Sequence, residues 1–268
     1  MEYTTYGGVS IINAIPSLRG GTMAIDLPVR VNVSKGNCAM DEFTSFIVKY
    51  VSTRLGIKEE YCIKVNSNVP MASGLKSNSA VAVGVTYALT EAAEVGLSKI
   101  DAIRIAAEAT KAHGSSITGA FDDAAASLLG GVVLTDNRLM KIIKHINPQN
   151  DVVVVITGFR EGKKPISIDA LRGLSSLYHD LTHWALDGKI WEAATINGIM
   201  VAKALGYVNQ LRVIGEALSR GALSAGVSGN GPSVYAVFKD GEEGPYVDYI
   251  NKHWGYLILT RPISMLID

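Results

Sequence analysis

The chain has 268 residues, with 25 Lys+Arg against 25 Asp+Glu, so its formal charge is zero; 48% of it is hydrophobic and 19% charged. That is enough apolar material for a packed core and excludes a disordered chain. Neutrality gives no electrostatic footprint for nucleic acid or an anionic membrane, so an anionic ligand has to be held by a local site.

The length fits one large domain or two moderate ones. The opening Met1-Glu2-Tyr3-Thr4 lacks a basic stretch followed by an apolar run, and no uncharged apolar segment approaches the ~20 residues that span a bilayer. A soluble, cytoplasmic protein is expected. The two cysteines, Cys38 and Cys62, match no Cys-x-x-Cys pattern, so neither a disulfide framework nor a structural zinc site is expected.

In chain order, residues 6–15 and 27–33 are β-prone, the second with Val29, Val31 and Val33 on one face. Asp41 is placed to cap a helix running to about Arg54, with Gly56 as its stop. Residues 61–65 form a short strand, and 66–79 are too polar and too rich in Gly/Pro signals for regular structure. Residues 80–95 are apolar almost all round and predict a buried helix. Ser98-x-x-Asp101 starts another helix that ends near His113-Gly114, and a short Ala-rich helix follows Asp122. Gly130-Gly131 stops it, before a hairpin at Asp136-Asn137.

From Asp151 a Val-rich strand leads into helices at about 166–186, 189–205 and 208–219. Strands at 223–227 and 233–239, a helix at about 245–253 and a strand at 256–261 complete the chain. With the three helices taken as one layer, the order is β-α-β-β-α-β, the ferredoxin-like order. The domain boundary is expected near residue 150, giving domains 1–150 and 151–268, in an α+β fold class.

Three segments carry chemistry. The first is Pro70, Met71, Ala72, Ser73, Gly74, Leu75, Lys76, Ser77, Asn78, Ser79 and Ala80, between a strand and a buried helix. Gly74 permits a close wrap around a ligand. Ser77, Asn78 and Ser79 sit beside the unpaired N–H groups of a helix start, which suits phosphate, and Lys76 adds a mobile charge. The bland alternative is a capped helix after an ordinary loop. It is weakened here because so apolar a helix does not need so polar an entry. No Walker A or dinucleotide fingerprint occurs.

The second segment is Thr118-Gly-Ala-Phe-Asp122-Asp123-Ala-Ala-Ala-Ser127. Two adjacent acids in an apolar run are costly without partners. They bind a cation, deprotonate a hydroxyl, or cap the helix; capping explains one acid more easily than two. The third is 226–233, containing Ser228, Gly229, Asn230 and Gly231: a tight turn between strands, or a nest of N–H groups for an anion.

Taken together, Pro-x-x-x-Gly-Leu-x-Ser, a later Gly-x-x-Asp-Asp and a late Ser-Gly-x-Gly-Pro-Ser-Val-Tyr-Ala-Val-Phe resemble the GHMP small-molecule kinases, in the right order and over nearly the whole chain. The resemblance implies a two-domain fold, with an N-terminal domain like ribosomal protein S5 domain 2 and a ferredoxin-like C-terminal domain. Within the family, residues 13–27, Gly-Leu-Lys-Ser at 74–77 and Gly-Ala-Phe-Asp-Asp-Ala-Ala-Ala-Ser at 119–127 resemble archaeal-type shikimate kinases.

That likeness implies transfer of the γ-phosphoryl group of ATP, with Mg²⁺, to the 3-hydroxyl of shikimate. Residues 70–80 would hold the phosphates. Asp122 aligns best with the acid that orients or deprotonates the hydroxyl, with Asp123 the alternative if the pair is shifted by one. Arg19 occupies the place of a Lys and would touch phosphate or that acid. Glu108 resembles a helix-borne Mg²⁺ ligand. Asn78 stands where many members have a Mg²⁺-binding Ser, so Ser77 or Ser79 would substitute. Shikimate would lie between the domains, against the 228–231 turn.

Its carboxylate needs a basic residue. Arg160, carried as a substrate ligand, and Lys163-Lys164 open the second half, and a solvated loop is the favoured alternative for them. The missing Gly-Glu-His counts against galactokinase and mevalonate kinase, and Asp122 counts against homoserine kinase. A GHMP kinase for another alcohol and a catalytically silent binding protein of this fold are the competing readings.

Other features invite over-reading. His179 and His183 have metal-ligand spacing but no neighbouring Glu, and read as a solvated or packed face. Ser73-x-x-Lys76 matches serine acyltransferases, without their later Lys-Thr-Gly. Trp184 and Trp191 are expected in the core.

Overall fold

The structure is a computed structural model that describes residues 1–159 and 162–266. The first half builds a five-stranded antiparallel sheet from β1 (Glu2–Ile12), β2 (Arg19–Lys35), β3 (Tyr61–Ser67), β4 (Val132–Asp136) and β5 (Lys141–Ile146). The 17-residue β2 is its spine. Residues 21–32 of it pair with β1, its first part with β4 and its second part with β3.

The helices of this half are α1 (Glu42–Leu55), α2 (Ser77–Ala92), α3 (Lys99–Ala112) and α4 (Phe121–Leu129). Capping follows the sequence. The Asp41 side chain accepts from Thr44 N–H, Gly56 closes α1 in the left-handed region, and Ser98 accepts from Asp101 N–H. Helix α2 packs against β1, β2, α1, α3 and α4, and every residue from Ser79 to Thr86 is buried, which is why its sequence shows no polar face. It starts three residues before the expected Ala80, so the Ser77-Asn78-Ser79 run is its first turn and not loop.

The second sheet has the order β7-β8-β6-β9, all antiparallel, from β6 (Val152–Thr157), β7 (Ser224–Val227), β8 (Val234–Lys239) and β9 (Leu257–Thr260). This is the ferredoxin-like arrangement. Strand β6 is buried on both faces: Val154 and Ile156 join the core of the first sheet, and Val155 joins a second core with Val213, Phe238 and Tyr246. A strand covered twice reads as a continuous apolar run, as Val152–Thr157 does.

The helix expected over 166–186 is two helices, α5 (Ile168–Arg172) and α6 (Ser175–Leu186), interrupted at Gly173-Leu174. Then come α7 (Ile190–Ala204), α8 (Val208–Ser219) and α9 (Gly244–His253). After β9 the chain returns to the first sheet. Ile263 N–H donates to Ala24 O, and Gly131 N–H donates to Ile263 O.

Two expectations are corrected. Cys38 and Cys62 are disulfide-bonded, tying the segment after β2 to β3; β2 and β3 are neighbours, a proximity that their spacing does not reveal. Trp184 is 41% exposed on α6 and is not a core residue, whereas Trp191 packs against the core. His179 and His183 are both exposed. Among the described residues, no helix is long and apolar enough to cross a membrane.

The disulfide closes a sequence separation of 24 residues. On chain-entropy grounds, reduction or Cys38→Ser should lower unfolding free energy by about 3 kcal/mol, read from urea denaturation with and without reductant. Identical midpoints would show that the bond does not form in solution.

Candidate active site

Three segments far apart in sequence meet in one cleft of about 180 Å³, open to solvent. It is lined by residues 70 and 72–79, by the α3–α4 connection at 115–118, by Asp122 and Asp123, by Ser10 and 12–15 at the end of β1, by Lys163, and by Gly229 and Asn230.

The 70–80 segment is held from below by one hydroxyl and two backbone N–H groups. Ser228 Oγ donates to Gly74 O at 2.9 Å, Ser233 N–H donates to Ser73 O at 3.1 Å, and Gly8 N–H donates to Leu75 O at 3.1 Å. Ser10 Oγ accepts from Gly229 N–H at 3.0 Å and from Lys76 Nζ at 2.6 Å. Gly74 takes φ +86°, and a Cβ there would lie 2.2 Å from Ser228 O. Only glycine allows the two loops to dock.

Lys76 enters α2 in the left-handed region at φ +70°, with no side-chain cap on the helix end. The first backbone bond of the helix is Ala80 N–H to Lys76 O. The N–H groups of Ser77, Asn78 and Ser79 therefore precede the intrahelical ladder, beside their own side chains. A helix end of this kind presents partial positive charge to an anion.

The acids lie in the first turn of α4, which Ala120 enters at φ 49°. Neither caps the helix by a side-chain hydrogen bond. Asp122 is 3% exposed. Its Oδ1 accepts from Asn137 Nδ2 at 2.8 Å, and its Oδ2 lies 3.2 Å from Thr22 Oγ1. It fits only because residue 20 is glycine, since a Cβ there would fall 2.4 Å from its Cγ. Burial, and then the charge of Asp123 beside it, push the Asp122 carboxyl up to about 7, against the opposing pull of Lys76, Asn137 and Thr22.

Asp123 is oriented differently. Its Oδ1 is 2.9 Å from Lys76 Nζ and 2.6 Å from Thr22 Oγ1, and its Oδ2 has no hydrogen-bond partner among the described residues. A carboxylate paired with an ammonium at one oxygen, with the other oxygen unpartnered, can accept a proton. Lys163 also faces the cleft; partial desolvation and the charge of Lys76 lower its pKa, and Asp123 opposes them.

Not every residue singled out in the sequence reaches the cleft. Met71 is 87% exposed and lines a neighbouring cavity of about 750 Å³, and Ala80 is fully buried behind the loop. Ser228 and Gly231 do not line the cleft. Ser228 supports Gly74, and Gly231 packs on Tyr207; the turn thus serves more as a clamp than as an anion nest.

Arg19 lies opposite Asp136 in the β2–β4 pairing and does not line the cleft; the cation beside the acids is Lys76. Glu108 points toward α1, 3.8 Å from Arg54. The α3 residue that reaches the cleft is Thr110, two positions on and so on the opposite side of the helix. Arg160 lies outside the described residues. Among the described residues, no three His, Cys, Asp or Glu side chains converge as a metal site.

Sequence reasoning missed Ser10, Asn13, Thr22 and Asn137, all polar and at most 6% exposed. A polar residue inside an apolar strand was the available signal for Ser10 and Thr22.

Residues 42–131 match the family model for the GHMP kinases N terminal domain. The shikimate kinase of Thermoplasma acidophilum is 34% identical, aligned over 88% of this chain and 86% of its own. That of Methanocella arvoryzae is 34% identical over 97% and 93%. The crystal structure of Methanococcus jannaschii mevalonate kinase superposes with a TM-score of 0.77 at 14% identity, covering 98% of both chains. The structure of a putative homoserine kinase from Listeria monocytogenes gives 0.70 at 18%, covering 98% of this chain and 97% of its own. At such identities the structural matches speak for the fold alone.

Two outcomes are expected. Gly74→Ala should cost about 1–3 kcal/mol in urea unfolding, from the left-handed backbone and the close carbonyl; an unchanged midpoint would mean that the loops are not docked. A raised carboxyl pKa stabilises the fold fully below its ordinary value, and that stabilisation is lost as pH rises through the folded value. The Tm should thus fall between pH 3.8 and about 7 in the native protein, and fall less in Asp122→Asn. Parallel Tm profiles would place the shifted group elsewhere.

Proposed function

The chain belongs to the GHMP kinase family, and we propose that it transfers the γ-phosphoryl group of ATP to the 3-hydroxyl of shikimate. The observation that carries the substrate is the identity, 34% over nearly full length, with curated shikimate kinases. The cleft supports the chemistry.

Phosphoryl transfer asks a protein mainly for positioning and charge neutralisation. The phosphates would sit on the N–H groups of Ser77, Asn78 and Ser79, at the end of α2. The docked 70–76 loop keeps those donors in place before the nucleotide arrives. Lys76 lies between the phosphate site and Asp123, so its charge serves both.

Asp123 is the acid assigned here to the acceptor hydroxyl, in preference to Asp122. It is paired with Lys76 and its Oδ2 has no hydrogen-bond partner among the described residues, whereas both oxygens of Asp122 are already in contact with Asn137 and Thr22. The acceptor would enter beside Asn13, Gly229 and Asn230. Lys163 is the cleft cation left for its carboxylate.

Mg²⁺ arriving with the nucleotide would find the hydroxyls of Ser77 and Ser79, both lining the cleft, as oxygen ligands. When bound it neutralises charge on the phosphates. The protein's share is to hold the phosphates, orient the hydroxyl and take its proton.

The test is ADP release from ATP and Mg²⁺ with shikimate, homoserine, mevalonate and galactose offered singly. Turnover with shikimate alone is expected. Asp123→Asn should lower kcat by about 10²–10⁴-fold while ATP binding survives. Turnover with another alcohol would keep the family and discard the substrate, and binding of ATP without any turnover would favour a silent member of the fold.

A further inference from the structure

A hydroxyl has one hydrogen to donate. Thr22 Oγ1 nevertheless faces two carboxyl oxygens, Asp123 Oδ1 at 2.6 Å and Asp122 Oδ2 at 3.2 Å. Lys76 Nζ also approaches Asp123 Oδ1, at 2.9 Å, so that carboxyl is the charged one and draws the Thr22 hydrogen along the shorter contact. Asp122 Oδ2 is then left against a lone pair of Thr22. The contact is attractive only when Asp122 Oδ2 itself carries a hydrogen.

The other side of Asp122 agrees. Asn137 Oδ1 accepts from Thr135 Oγ1 at 2.6 Å, so the amide turns its NH₂ toward Asp122 Oδ1. That oxygen is an acceptor, and the proton belongs on Oδ2.

We infer that Asp122 is the proton-holding member of the pair, and that Asp122 and Thr22 are positioning residues which hold Asp123 beside Lys76 and aimed at the acceptor. The inference rests on the role proposed above for Asp123. The hydrogens then run in one direction, from Asp122 Oδ2 to Thr22 Oγ1 and from Thr22 Oγ1 to Asp123 Oδ1. Asp123 Oδ2 stays free.

In turnover the acceptor O–H bond breaks and its proton goes to Asp123 Oδ2. The acceptor oxygen bonds the γ-phosphorus, and the β,γ-bridging P–O bond breaks with its electron pair leaving on ADP. A second ionised carboxylate behind Asp123 would repel the developing alkoxide; a neutral Asp122 does not.

The surrounding charges fit. From α4 Asp122 faces Asp123, from the α2 entry Lys76, from β2 the uncharged Thr22, and from the β4–β5 turn the uncharged Asn137. Lys76 and Asp123 act in opposite senses on Lys163. Burial and the charge of Asp123 raise the pKa of Asp122, in the same sense as the hydrogen count.

Asparagine at 122 reproduces the neutral acid, its NH₂ donating to Thr22 and its carbonyl accepting from Asn137. The experiment pairs infrared spectra of the unliganded protein with kinetics on Asp122→Asn, Asp123→Asn, Thr22→Val and Thr22→Ser. At about pH 6 the native protein should show the carbonyl stretch of a protonated carboxyl, absent at every pH in Asp122→Asn and kept in Asp123→Asn but shifted to lower pH, since the Asp123 charge that helps to raise the Asp122 pKa is gone. In shikimate-dependent turnover, Asp122→Asn should lose less than about tenfold in kcat, against more than about a hundredfold for Asp123→Asn. Thr22→Val should lose more than about tenfold in kcat with the KM for ATP held, and Thr22→Ser should recover most of it.

No protonated-carboxyl band, or a band removed by Asp123→Asn and not by Asp122→Asn, overturns the assignment. So does an Asp122→Asn enzyme as impaired as Asp123→Asn. The spectra need no acceptor, so they decide the assignment even where the proposed substrate fails.

Discussion

The buried ion pair between Lys76 and Asp123 is the interaction on which the site depends. Their side chains are only 8% and 13% exposed. Charges so far out of water are tolerated only with close partners, and removing one partner leaves the other uncompensated. The pair joins the entry of α2 to the first turn of α4, the two helix starts in the cleft. Each is entered through a non-glycine residue in the left-handed region, Lys76 and Ala120. Backbone strain of that kind persists where surrounding contacts over-determine it. Here the contacts are the ammonium on Ser10 and Asp123, and the docked loops beneath.

Ser10 shows how the two sheets cooperate. It lies on β1 of the first sheet, yet its Oγ accepts from Gly229 of the second and from Lys76 of the phosphate loop. Ser228 reciprocates, donating to Gly74 O and accepting from Ser10 N–H. The loop that would take up phosphate is thus fixed from both sheets before any ligand arrives, and preorganised donors need little rearrangement when charge develops.

Much of the architecture was legible because it rests on local rules. Asp41 and Ser98 as caps, Gly56 as a stop, the all-round apolar α2 and the alternation of strands and helices after residue 150 each follow from short-range physics. The cleft was legible only through its motifs. Gly74, Ser77–79 and the Asp122-Asp123 pair could be singled out from sequence; the division of labour within the pair could not. It depends on Thr22, Asn137 and Gly20, which are 100, 15 and 102 residues from Asp122, and on a register that only the folded sheet defines. The placement of Arg19 and Glu108 was illegible for the same reason. Each lies near the right motif, but strand pairing and helix phase turn them away from the cleft. Cys38 and Cys62 became partners through the antiparallel β2–β3 pairing, which brings Ser34 opposite Cys62.

The central claim is that Asp123, paired with Lys76, is the group that meets the acceptor hydroxyl. A crystal structure with shikimate and a non-hydrolysable ATP analogue tests it most directly. The account predicts the 3-hydroxyl within hydrogen-bond distance of Asp123 Oδ2, with the phosphates on the start of α2 and Thr22 still between the acids. A hydroxyl bonded to Asp122, or an acceptor bound away from both acids, would contradict it.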